Sequence, residues 1–286
     1  MPELPEAEVV RRGVDRAARG RTVTALLLGR DRATRRDPDP ASLPALVTGR
    51  RVESVDRVGK VLVVDLWAGP GARPDGVERD VLVVHLGMSG QLRTARTGDD
   101  RPAHTHVVWV LDDGTELRFV DPRTFGHVAR STAPPGGRPA ALAHLGPDAL
   151  DELDPAALAA AFAGRRVAVK ARLLDQTAVA GLGNIYADEV LFRAGISPLR
   201  AAGSVRTVEV DRLAAAIPEV LTAAIAAGGS TLGDGGYVDV DGRTGRYQAE
   251  HRVHARAGQA CPDCAAPITR VRLGGRTASW CPRCQR

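Results

Sequence analysis

Three things are scarce in this 286-residue sequence: long apolar runs, cysteines and lysines. No uninterrupted apolar run approaches the roughly 18 residues that a membrane-spanning helix needs, so the sequence predicts no such helix. The acidic opening MPELPE does not resemble a secretory signal, and we therefore expect a cytoplasmic protein without membrane association. No internal repeat of supersecondary size is present, which excludes a repeat architecture.

Lysine is rare although basic residues are not. Of 39 lysines and arginines, only Lys60 and Lys170 are lysines, so arginine fills nearly every position that needs only a positive charge. Lysine exchanges protons far more readily than arginine does. The two lysines are therefore candidates for a chemical role, whereas the alternative for Lys60 is an ordinary lysine at a strand edge.

The few cysteines all lie near the end of the chain, in the segment CPDCAAPITRVRLGGRTASWCPRC. They form two Cys-x2-Cys hooks, Cys261 with Cys264 and Cys281 with Cys284. Two such hooks let four thiolates surround one zinc ion while the residues between them form a hairpin. Disulfides are the alternative, but tight hooks in a cytoplasmic chain disfavour them. We expect one structural zinc ion, because a hairpin of this size has little core of its own.

The length and composition are those of a globular enzyme or binding protein with two domains and a small appendage. Hydrophobic residues make up 44% of the chain and charged residues 26%, both ordinary values. Residues 250–286 hold seven arginines and two acidic residues, so this segment alone accounts for the formal charge of +5 and the remainder is close to neutral. This basic segment favours a polyanionic partner, most simply nucleic acid. The alternative is a solvated basic tail.

The opening residues allow two interpretations. An exposed chain start tolerates almost any sequence. Alternatively, removal of Met1 leaves Pro2 as a free secondary amine beside the carboxylate of Glu3, which pairs a nucleophile with an acid/base group. An α-amino group has a pKa of about 7.7 to 8, against about 10.4 for a lysine side chain, so more of it is neutral. A secondary amine that attacks a sugar C1′ gives an iminium cation, which accepts electrons during elimination.

The hydrophobic pattern is helical in AEVVRRGV and then becomes typical of strands. Asp113-Gly114 predicts a hairpin turn between the last two of these strands. The predicted strands are VTALLL, RRVESVDRV, VLVVDLW, VLVVHLG, HVVWVL and TELRFVD. This succession predicts a β-sandwich or barrel.

The second half of the chain has a helical pattern. Prolines and glycines in residues 131–140, STAPPGGRPA, predict a linker. Asp154 is a candidate N-cap, with Pro155 as the first helical residue. A later helix ends at Gly228-Gly229. Its apolar face consists of Leu213, Ile217, Val220, Leu221, Ala224 and Ile225.

Six motifs, taken together, resemble those of the formamidopyrimidine-DNA glycosylases, relatives of endonuclease VIII that excise oxidised bases and cut the DNA behind them. The motifs are MPELPE, the GK of DRVGKVLVVDL, HLGMSGQLR, DPRTFG, LLDQTAVAGLGNIYADEVLFRAGISP and SWCPRCQR. The resemblance implies an α+β multidomain fold. Residues 1–134 are expected to form a catalytic β-sandwich with an N-terminal helix, residues 135–248 a helix-two-turn-helix domain, and residues 249–286 a zinc-finger hairpin.

The resemblance also implies four catalytic residues. Pro2 forms a Schiff base with the sugar, Glu3 protonates the ring oxygen as the sugar opens, and Lys60 takes part in cleavage of the glycosylic bond and in β-elimination. Arg276, between the cysteine hooks, is expected to bind the phosphates at the lesion and to assist δ-elimination. Glu6 either orients the amine or a water, or simply favours the helix N-terminus.

A DNA glycosylase extrudes its target nucleotide and fills the gap that is left in the duplex. Three residues of this chain match the family's residues for that task. Met88 is a flexible apolar wedge, Phe125 stacks, and Arg123 can bond the partner base. Each of them alone would more often be an ordinary core or surface residue.

Further residues match the family's contacts to the DNA backbone. The small residues of the turn GLGN let backbone N–H groups approach a phosphate, and Asn184 is expected to bond that phosphate. His104 and Arg166 align with other DNA contacts, although the choice between Arg165 and Arg166 stays open. Lys170 is expected to contact the lesion-bearing strand.

The resemblance implies a bifunctional DNA glycosylase and AP lyase of base excision repair. We expect it to act at the nucleoid as a monomer, to bind damaged double-stranded DNA, to excise oxidised purines such as 8-oxoguanine and formamidopyrimidines, and to need no small-molecule cofactor. One alternative is an oxidised-pyrimidine enzyme of the endonuclease VIII type, against which MPELPE argues; another is a noncatalytic zinc-ribbon DNA-binding protein. The glycine-rich residues 231–248 lie where the family folds a loop over the extruded base, so the lesion preference and the opposite-base preference stay open.

Overall fold

The computed structural model describes residues 2–69, 71, 73–233 and 236–286. The chain forms two compact units. The first comprises Met1–Ala143 with Gly228–Gly245, and the second comprises His144–Ala227 with Arg246–Arg286. The segment Gly228–Gly245, which the sequence-based division assigns to the helical domain, thus groups with the β-rich unit. The expected boundaries after residues 134 and 248 stay predictions.

The first unit begins with helix α1, Leu4–Ala18. Pro5 lies in its first turn, where the missing N–H costs no hydrogen bond. Ala7, Val10 and Val14 follow one another at helical spacing and are buried, so the helix packs one apolar stripe against the sheets. This confirms the helix predicted from AEVVRRGV.

Two four-stranded antiparallel sheets form the body of the first unit. Their strand orders are β1-β6-β7-β5 and β2-β3-β4-β8. Apolar residues of both sheets share one core with α1, which makes this unit the predicted β-sandwich. The strands are β1 Val23–Leu28, β2 Arg51–Val58, β3 Val61–Trp67, β4 Arg79–His85, β5 Gln91–Arg96, β6 Thr105–Leu111, β7 Thr115–Val120 and β8 His127–Ala133, and a short helix, α2 Leu43–Val47, follows β1.

The six predicted strands are all present, and β6 and β7 form the expected hairpin around Gly114, whose φ is +78°. The sequence does not predict β5 and β8, because QLRTAR and HVARSTA lack a dense apolar run. Their backbones pair with β7 and β4, and such ladders do not depend on apolar side chains. The predicted linker 131–140 is therefore wrong for its first three residues, which belong to β8.

The second unit is mainly helical. Its helices are α3 Pro155–Phe162, α4 Val169–Leu174, α5 Asn184–Ala194 and α6 Thr207–Ala226. The Asp154 carboxylate accepts the N–H of Ala157 at 2.7 Å, which confirms the predicted N-cap. The predicted apolar face of α6 is buried, and the chain turns after it at Gly228 and Gly229, whose φ values are +78° and +81°.

A two-stranded hairpin completes the second unit. Its strands are β9 Thr269–Leu273 and β10 Arg276–Trp280, joined by two glycines with positive φ. Its small core packs Val253, Ile268 and two cysteines against Phe192 of α5. None of the described helices has the length and apolar character that crossing a membrane requires.

Candidate active site and DNA interface

The start of the described chain is buried, with Glu3 only 2% exposed and Pro2 buried beside it. The backbone N–H of Glu3 donates to Oε2 of Glu6 at 2.8 Å. The other oxygen of Glu6 accepts the N–H of Ser230 at 2.7 Å. Glu6 therefore fixes the start of α1 against the segment around Ser230, and the interpretation as an exposed, unconstrained start is wrong for these residues. Met1, whose removal the free amine requires, lies outside the described residues.

Lys60 lies half-buried in the turn between β2 and β3, directly after Gly59, whose φ of +59° lets the chain reverse tightly. Its charge acts on His85 at the end of β4. Burial, followed by the positive charges of Lys60 and two arginines, lowers the pKa of His85 to about 4. The imidazole is therefore neutral near pH 7, and its Nδ1 accepts the N–H of Gly87 at 3.0 Å.

His85 stacks on His127 of the neighbouring strand β8, with 5.4 Å between the ring centroids. Burial, followed by the charge of His85, lowers the pKa of His127 to about 3. The sequence does not predict this pair, although His85 opens the HLGMSG motif that also contains Met88.

Two turns of the β-sandwich present the three residues expected to fill the gap in the duplex. Met88 is 38% exposed and Phe125 is 42% exposed, so both side chains are accessible at the surface. The Arg123 guanidinium carbon lies 4.8 Å from the centre of the Phe125 ring, a cation–π distance. The structure therefore brings Arg123 and Phe125 together on the surface of the first unit.

His104 is exposed in the turn before β6 and has a φ of +66°. Its ring lies edge-on to that of His106, with 6.4 Å between centroids. His106 is buried, and its Nε2 lies 3.0 Å from the backbone oxygen of Asp121. Of the two histidines in HTH, only His104 is thus accessible to a partner.

In the second unit, the turn GLGN leads directly into α5, which begins at Asn184. Gln176 braces this turn, because its side chain donates to the Leu182 carbonyl at 2.9 Å and accepts the N–H of Gly181 at 3.0 Å. The Oδ1 atom of Asn184 is buried and has no hydrogen-bond partner among the described residues. An amide oxygen is a hydrogen-bond acceptor and therefore needs a donor such as a water. An anion at this helix N-terminus would instead be bound by N–H groups of the turn and of the Asn184 amide.

Arg165 and Arg166 are both exposed between α3 and α4. The backbone of Arg165 is fixed, since its N–H donates to the Phe162 carbonyl at 3.0 Å and its own carbonyl accepts the N–H of Gly203 at 2.9 Å. Neither guanidinium is hidden, so the choice between them stays open.

Lys170 is fully buried in the second unit. Its ammonium donates to Oδ1 of Asp188 at 2.6 Å and to the backbone oxygen of Thr277 at 2.6 Å. The other Asp188 oxygen lies 2.9 Å from Nδ1 of His254. This ammonium is committed inside the protein, where Lys170 joins α4 and α5 to strand β10. A direct contact between Lys170 and DNA stays a prediction.

Arg276 is exposed at the first position of β10, next to the Thr277 that Lys170 holds. Its strand pairs with β9 in register, Arg276 opposite Leu273. The hairpin thus presents the guanidinium beside a tight turn, and the adjacent Thr277 carbonyl is tied to Lys170 of α4 in the same unit.

The four cysteines come together behind this hairpin. Their sulfur atoms all lie within 4.8 Å of one another, with 3.9 Å between Cys261 and Cys284 and 3.5 Å between Cys264 and Cys281. A tetrahedron with zinc–sulfur bonds of about 2.3 Å has edges of about 3.8 Å, so the four thiolates fit one zinc ion. These separations far exceed the roughly 2.0 Å of an S–S bond, and the disulfide alternative is wrong.

Three family models together match most of the chain. Residues 1–128 match the formamidopyrimidine-DNA glycosylase N-terminal domain, and residues 145–235 match the formamidopyrimidine-DNA glycosylase H2TH domain. Residues 258–286 match the zinc finger found in FPG and IleRS. The third match agrees with the zinc site derived from the sulfur geometry.

Two curated relatives named formamidopyrimidine-DNA glycosylase are each 43% identical to this chain. The protein from Nocardia farcinica is matched over 100% of this chain and 98% of its own, and that from Methylococcus capsulatus over 100% of both.

Solved structures show the same fold. The crystal structure of the Fpg protein of Thermus thermophilus has a TM-score of 0.81 at 38% identity, over 99% of this chain and 98% of that one. Two complexes of Lactococcus lactis Fpg, one with abasic-site DNA and one with oxidised-pyrimidine DNA, have TM-scores of 0.84 and 0.83 at 28% identity, over 100% of both chains.

Proposed function

The chain belongs to the formamidopyrimidine-DNA glycosylase family, and from this premise we propose that it is a bifunctional enzyme that removes an oxidised base and then cleaves the DNA strand. It is a DNA glycosylase of base excision repair. The observation that carries the bifunctional mechanism is the buried pairing of Pro2 with Glu3 at the start of α1. An amine and a carboxylate at a fixed, water-poor position suit covalent catalysis better than an exposed chain end does.

The first chemical step joins the protein to the sugar. The unprotonated Pro2 nitrogen forms a bond to C1′ of the damaged nucleoside, and the bond from C1′ to the base nitrogen breaks. The proton that Pro2 then loses neutralises the departing base, which restores the lone pair of the Pro2 nitrogen. Glu3 donates a proton to the ring oxygen as the C1′–O4′ bond opens. The nitrogen lone pair then completes an iminium between Pro2 and C1′, which carries positive charge without needing a proton.

Strand cleavage follows from that iminium. A general base of the protein removes a proton from C2′, the electron pair moves toward the iminium, and the 3′ phosphate leaves in β-elimination. A second elimination expels the 5′ phosphate. We assign proton transfer in the β-elimination to Lys60. We assign the binding of the departing phosphate to Arg276, for which its planar guanidinium is suited.

The base must leave the duplex before this chemistry begins. Met88, Arg123 and Phe125 are proposed to enter the duplex and occupy the gap. Two exposed apolar side chains and a guanidinium stacked on one of them support this assignment, since the apolar groups replace the lost stacking and the guanidinium can bond the partner base.

Backbone contacts hold the DNA during these steps. We propose that the GLGN turn and Asn184 bind one phosphate at the N-terminus of α5, where N–H groups and the helix dipole favour an anion. His104 and Arg166 are proposed as further contacts, and both are exposed. The zinc ion is held by the four cysteines and supplies the folding energy of the hairpin that carries Arg276.

Oxidised purines are the proposed substrates, because the full-length relatives are named for formamidopyrimidine lesions. An oxidised-pyrimidine activity is the second candidate, since wild-type Lactococcus lactis Fpg is described in complex with oxidised-pyrimidine DNA. We further propose that the enzyme works as a monomer on cytoplasmic DNA. A panel of duplexes that carry each lesion opposite each base distinguishes the two candidates by their relative excision rates.

Borohydride trapping tests the covalent mechanism. Sodium borohydride reduces an iminium to a stable amine, so incubation with abasic duplex DNA should leave a protein–DNA complex that survives denaturing electrophoresis. A Pro2→Gly variant keeps a primary amine and should retain part of the lyase step, whereas chemical acetylation of the N-terminus should remove it. A noncatalytic DNA-binding protein gives no trapped complex, and that result from protein lacking Met1 would refute the proposal.

A further inference from the structure

The two turns that present Met88, Arg123 and Phe125 are in direct backbone contact. A Cβ atom added to Gly87 would lie 2.4 Å from the backbone nitrogen of Gly126 and 2.5 Å from the carbonyl carbon of Phe125. A Cβ on Gly126 would lie 2.6 Å from the His85 carbonyl oxygen. Real Cβ atoms do not approach backbone this closely, so only glycines allow the two turns to pack against each other.

A buried carboxylate joins the turns from the inner side. Asp121 is 0% exposed. One of its oxygens accepts the hydroxyl of Ser89 at 2.5 Å, and the other accepts the N–H of Gly126 at 2.7 Å. The N–H of Arg123 lies 3.3 Å from both Asp121 Oδ1 and Ser89 Oγ. Charge-assisted bonds of this kind are strong and directional, so the carboxylate fixes the Met88 turn to the Arg123–Phe125 turn.

Arg35 holds the backbone carbonyls of the second turn. Its guanidinium donates to the backbone oxygens of Gly126 at 2.7 Å, Phe125 at 2.9 Å and Thr124 at 3.4 Å. It also donates to the Arg32 carbonyl at 2.6 Å. The guanidinium is a planar fork with five N–H donors, and here it binds three successive carbonyls of one turn. A lysine ammonium cannot reproduce that planar pattern.

The turn that is held in this way is strained. Thr124 has a φ of +52°, a left-handed conformation that β-branched residues rarely adopt. Such a conformation persists only where the surroundings determine it. Arg35 binds the carbonyl groups of residues 124–126, and Asp121 binds the N–H groups of Arg123 and Gly126. Without these hydrogen bonds the turn would relax, and the two side chains that flank Thr124 would change direction.

We infer that Arg35 is a positioning residue for base extrusion, which holds the backbone of residues 124–126 so that Arg123 and Phe125 enter the duplex with Met88 as one preformed group. The inference rests on the proposed function. Insertion costs base unstacking, and a preformed group does not also lose conformational freedom on binding. Arg35 acts through the turn and needs no contact with the DNA.

Two substrates separate this role from a general one. Excision of 8-oxoguanine from a duplex, opposite cytosine, requires extrusion. Cleavage of a single-stranded oligonucleotide at an abasic site does not. Arg35→Ala is expected to lower excision from the duplex between about 10-fold and 100-fold and to leave single-strand cleavage within about 2-fold of the unmodified enzyme.

Arg32→Ala is the matched control, because Arg32 is exposed in the same segment and carries the same charge but contributes only its backbone oxygen to the contacts of Arg35. It should resemble the unmodified enzyme on both substrates. Arg35→Lys keeps the charge and most of the side chain, and should fold even if the alanine variant does not. It is expected to show the same selective loss on the duplex, to a smaller extent.

Three results would overturn the inference. The first is an equal loss on both substrates by Arg35→Lys, and the second is that Arg35→Ala and Arg32→Ala have indistinguishable effects. The third is weaker binding of undamaged duplex by Arg35→Ala with a reduced salt dependence, because that result indicates a phosphate contact. Absence of both activities from the unmodified protein would instead refute the proposed function on which the inference rests.

Discussion

The two lysines of the chain occupy sites of opposite character. Lys170 is buried and committed to Asp188 and to a backbone carbonyl, a site for a compact ammonium rather than a planar guanidinium. Lys60 lies half-buried beside the neutral imidazole of His85. The sequence makes both lysines candidates for a chemical role, whereas the structure leaves only Lys60 partly exposed, in the β-rich unit.

Glu3 offers the sharpest test of a single residue. Glu3→Gln keeps the shape of the side chain and removes its acidity, so excision of 8-oxoguanine should fall by about 10² to 10⁴-fold. Cleavage at a preformed abasic site should fall much less, because its sugar already equilibrates with the open aldehyde and needs less help to open. Glu78→Gln, at an exposed position of the same unit, is the control. Equal losses in the two assays would contradict the assignment of Glu3.

The stacked histidines make stability depend on pH. The pKa of His85 is about 4 in the folded chain and about 6.5 in an unfolded one. Between about pH 4 and pH 6.5 this histidine is therefore protonated in the unfolded chain and neutral in the folded one. The free energy of unfolding falls as the pH drops from about 6.5 toward 4. For this residue the loss amounts to about 3 kcal/mol at most.

His85→Asn removes the titrating group while its amide oxygen can still accept the N–H of Gly87. Urea unfolding between pH 7 and pH 4 should show a shallower loss of stability for this variant than for the unmodified protein. An unchanged slope would mean that other groups dominate acid unfolding.

Among single residues, the sequence predicts those whose role follows from their neighbours in the chain. Pro2, Glu3 and the four cysteines follow from adjacent letters or fixed spacing, and the structure groups the cysteines as expected. Arg35 and Asp121 could not be predicted, because their role comes from contacts between segments far apart in the chain. The burial of Lys170 escaped for the same reason, since Asp188 and Thr277 reach it only through the tertiary fold.

Among the elements, the contact of Lys170 with strand β10 gives the zinc hairpin a second attachment. Zinc holds the two cysteine hooks at one end of the hairpin, and Lys170 holds the Thr277 carbonyl near its tip. Arg276 immediately precedes Thr277. We therefore expect the ion pair between Lys170 and Asp188 to affect both stability and the direction of the Arg276 side chain.

Lys170→Met leaves the Asp188 carboxylate buried with its main cationic partner removed. The free energy of unfolding should fall by about 3 to 5 kcal/mol, measured by denaturant titration with zinc present. Arg193→Met removes an exposed partner of Glu219 and should cost less than about 1 kcal/mol. The double variant Lys170→Met/Asp188→Asn should recover part of the loss. A loss below about 1 kcal/mol for Lys170→Met alone would contradict the role of Lys170 as a second attachment of the hairpin.

The elements were predictable in proportion to their apolar periodicity. β3, β4 and α6 have dense apolar patterns and were found, and the cap at Asp154 followed from its position before Pro155. β5 and β8 carry too few apolar residues to stand out, and pairing with β7 and β4 makes them strands. The local composition of a segment does not predict a strand that forms only because folding brings a pairing strand beside it.

For the molecule as a whole, each unit contains a separate part of the proposed chemistry. The β-rich unit holds the amino terminus, Lys60 and the three residues proposed to fill the duplex gap. The helical unit holds Asn184 and the zinc hairpin with Arg276. The sequence predicts this allocation in outline, but the grouping of Gly228–Gly245 with the β-rich unit depends on long-range contacts such as that between Glu6 and Ser230.

Removal of zinc should impair the zinc hairpin and leave the β-rich unit folded. Without the metal the hairpin loses the centre of its small core, which packs on Phe192. Chelation should therefore abolish tight binding to duplex DNA and δ-elimination, while the far-ultraviolet circular dichroism of the β-sandwich persists. Readdition of zinc should restore both activities. Full binding and δ-elimination in metal-free protein, verified by elemental analysis, would show that the hairpin does not depend on zinc.

The proposed mechanism requires that the amino terminus itself attacks the sugar. Peptide mapping by mass spectrometry of the borohydride-trapped complex locates the attachment directly. We expect the sugar on the nitrogen of Pro2, in a peptide that lacks Met1. Attachment to Lys60 or Lys170, or full activity in protein that retains Met1, would contradict it.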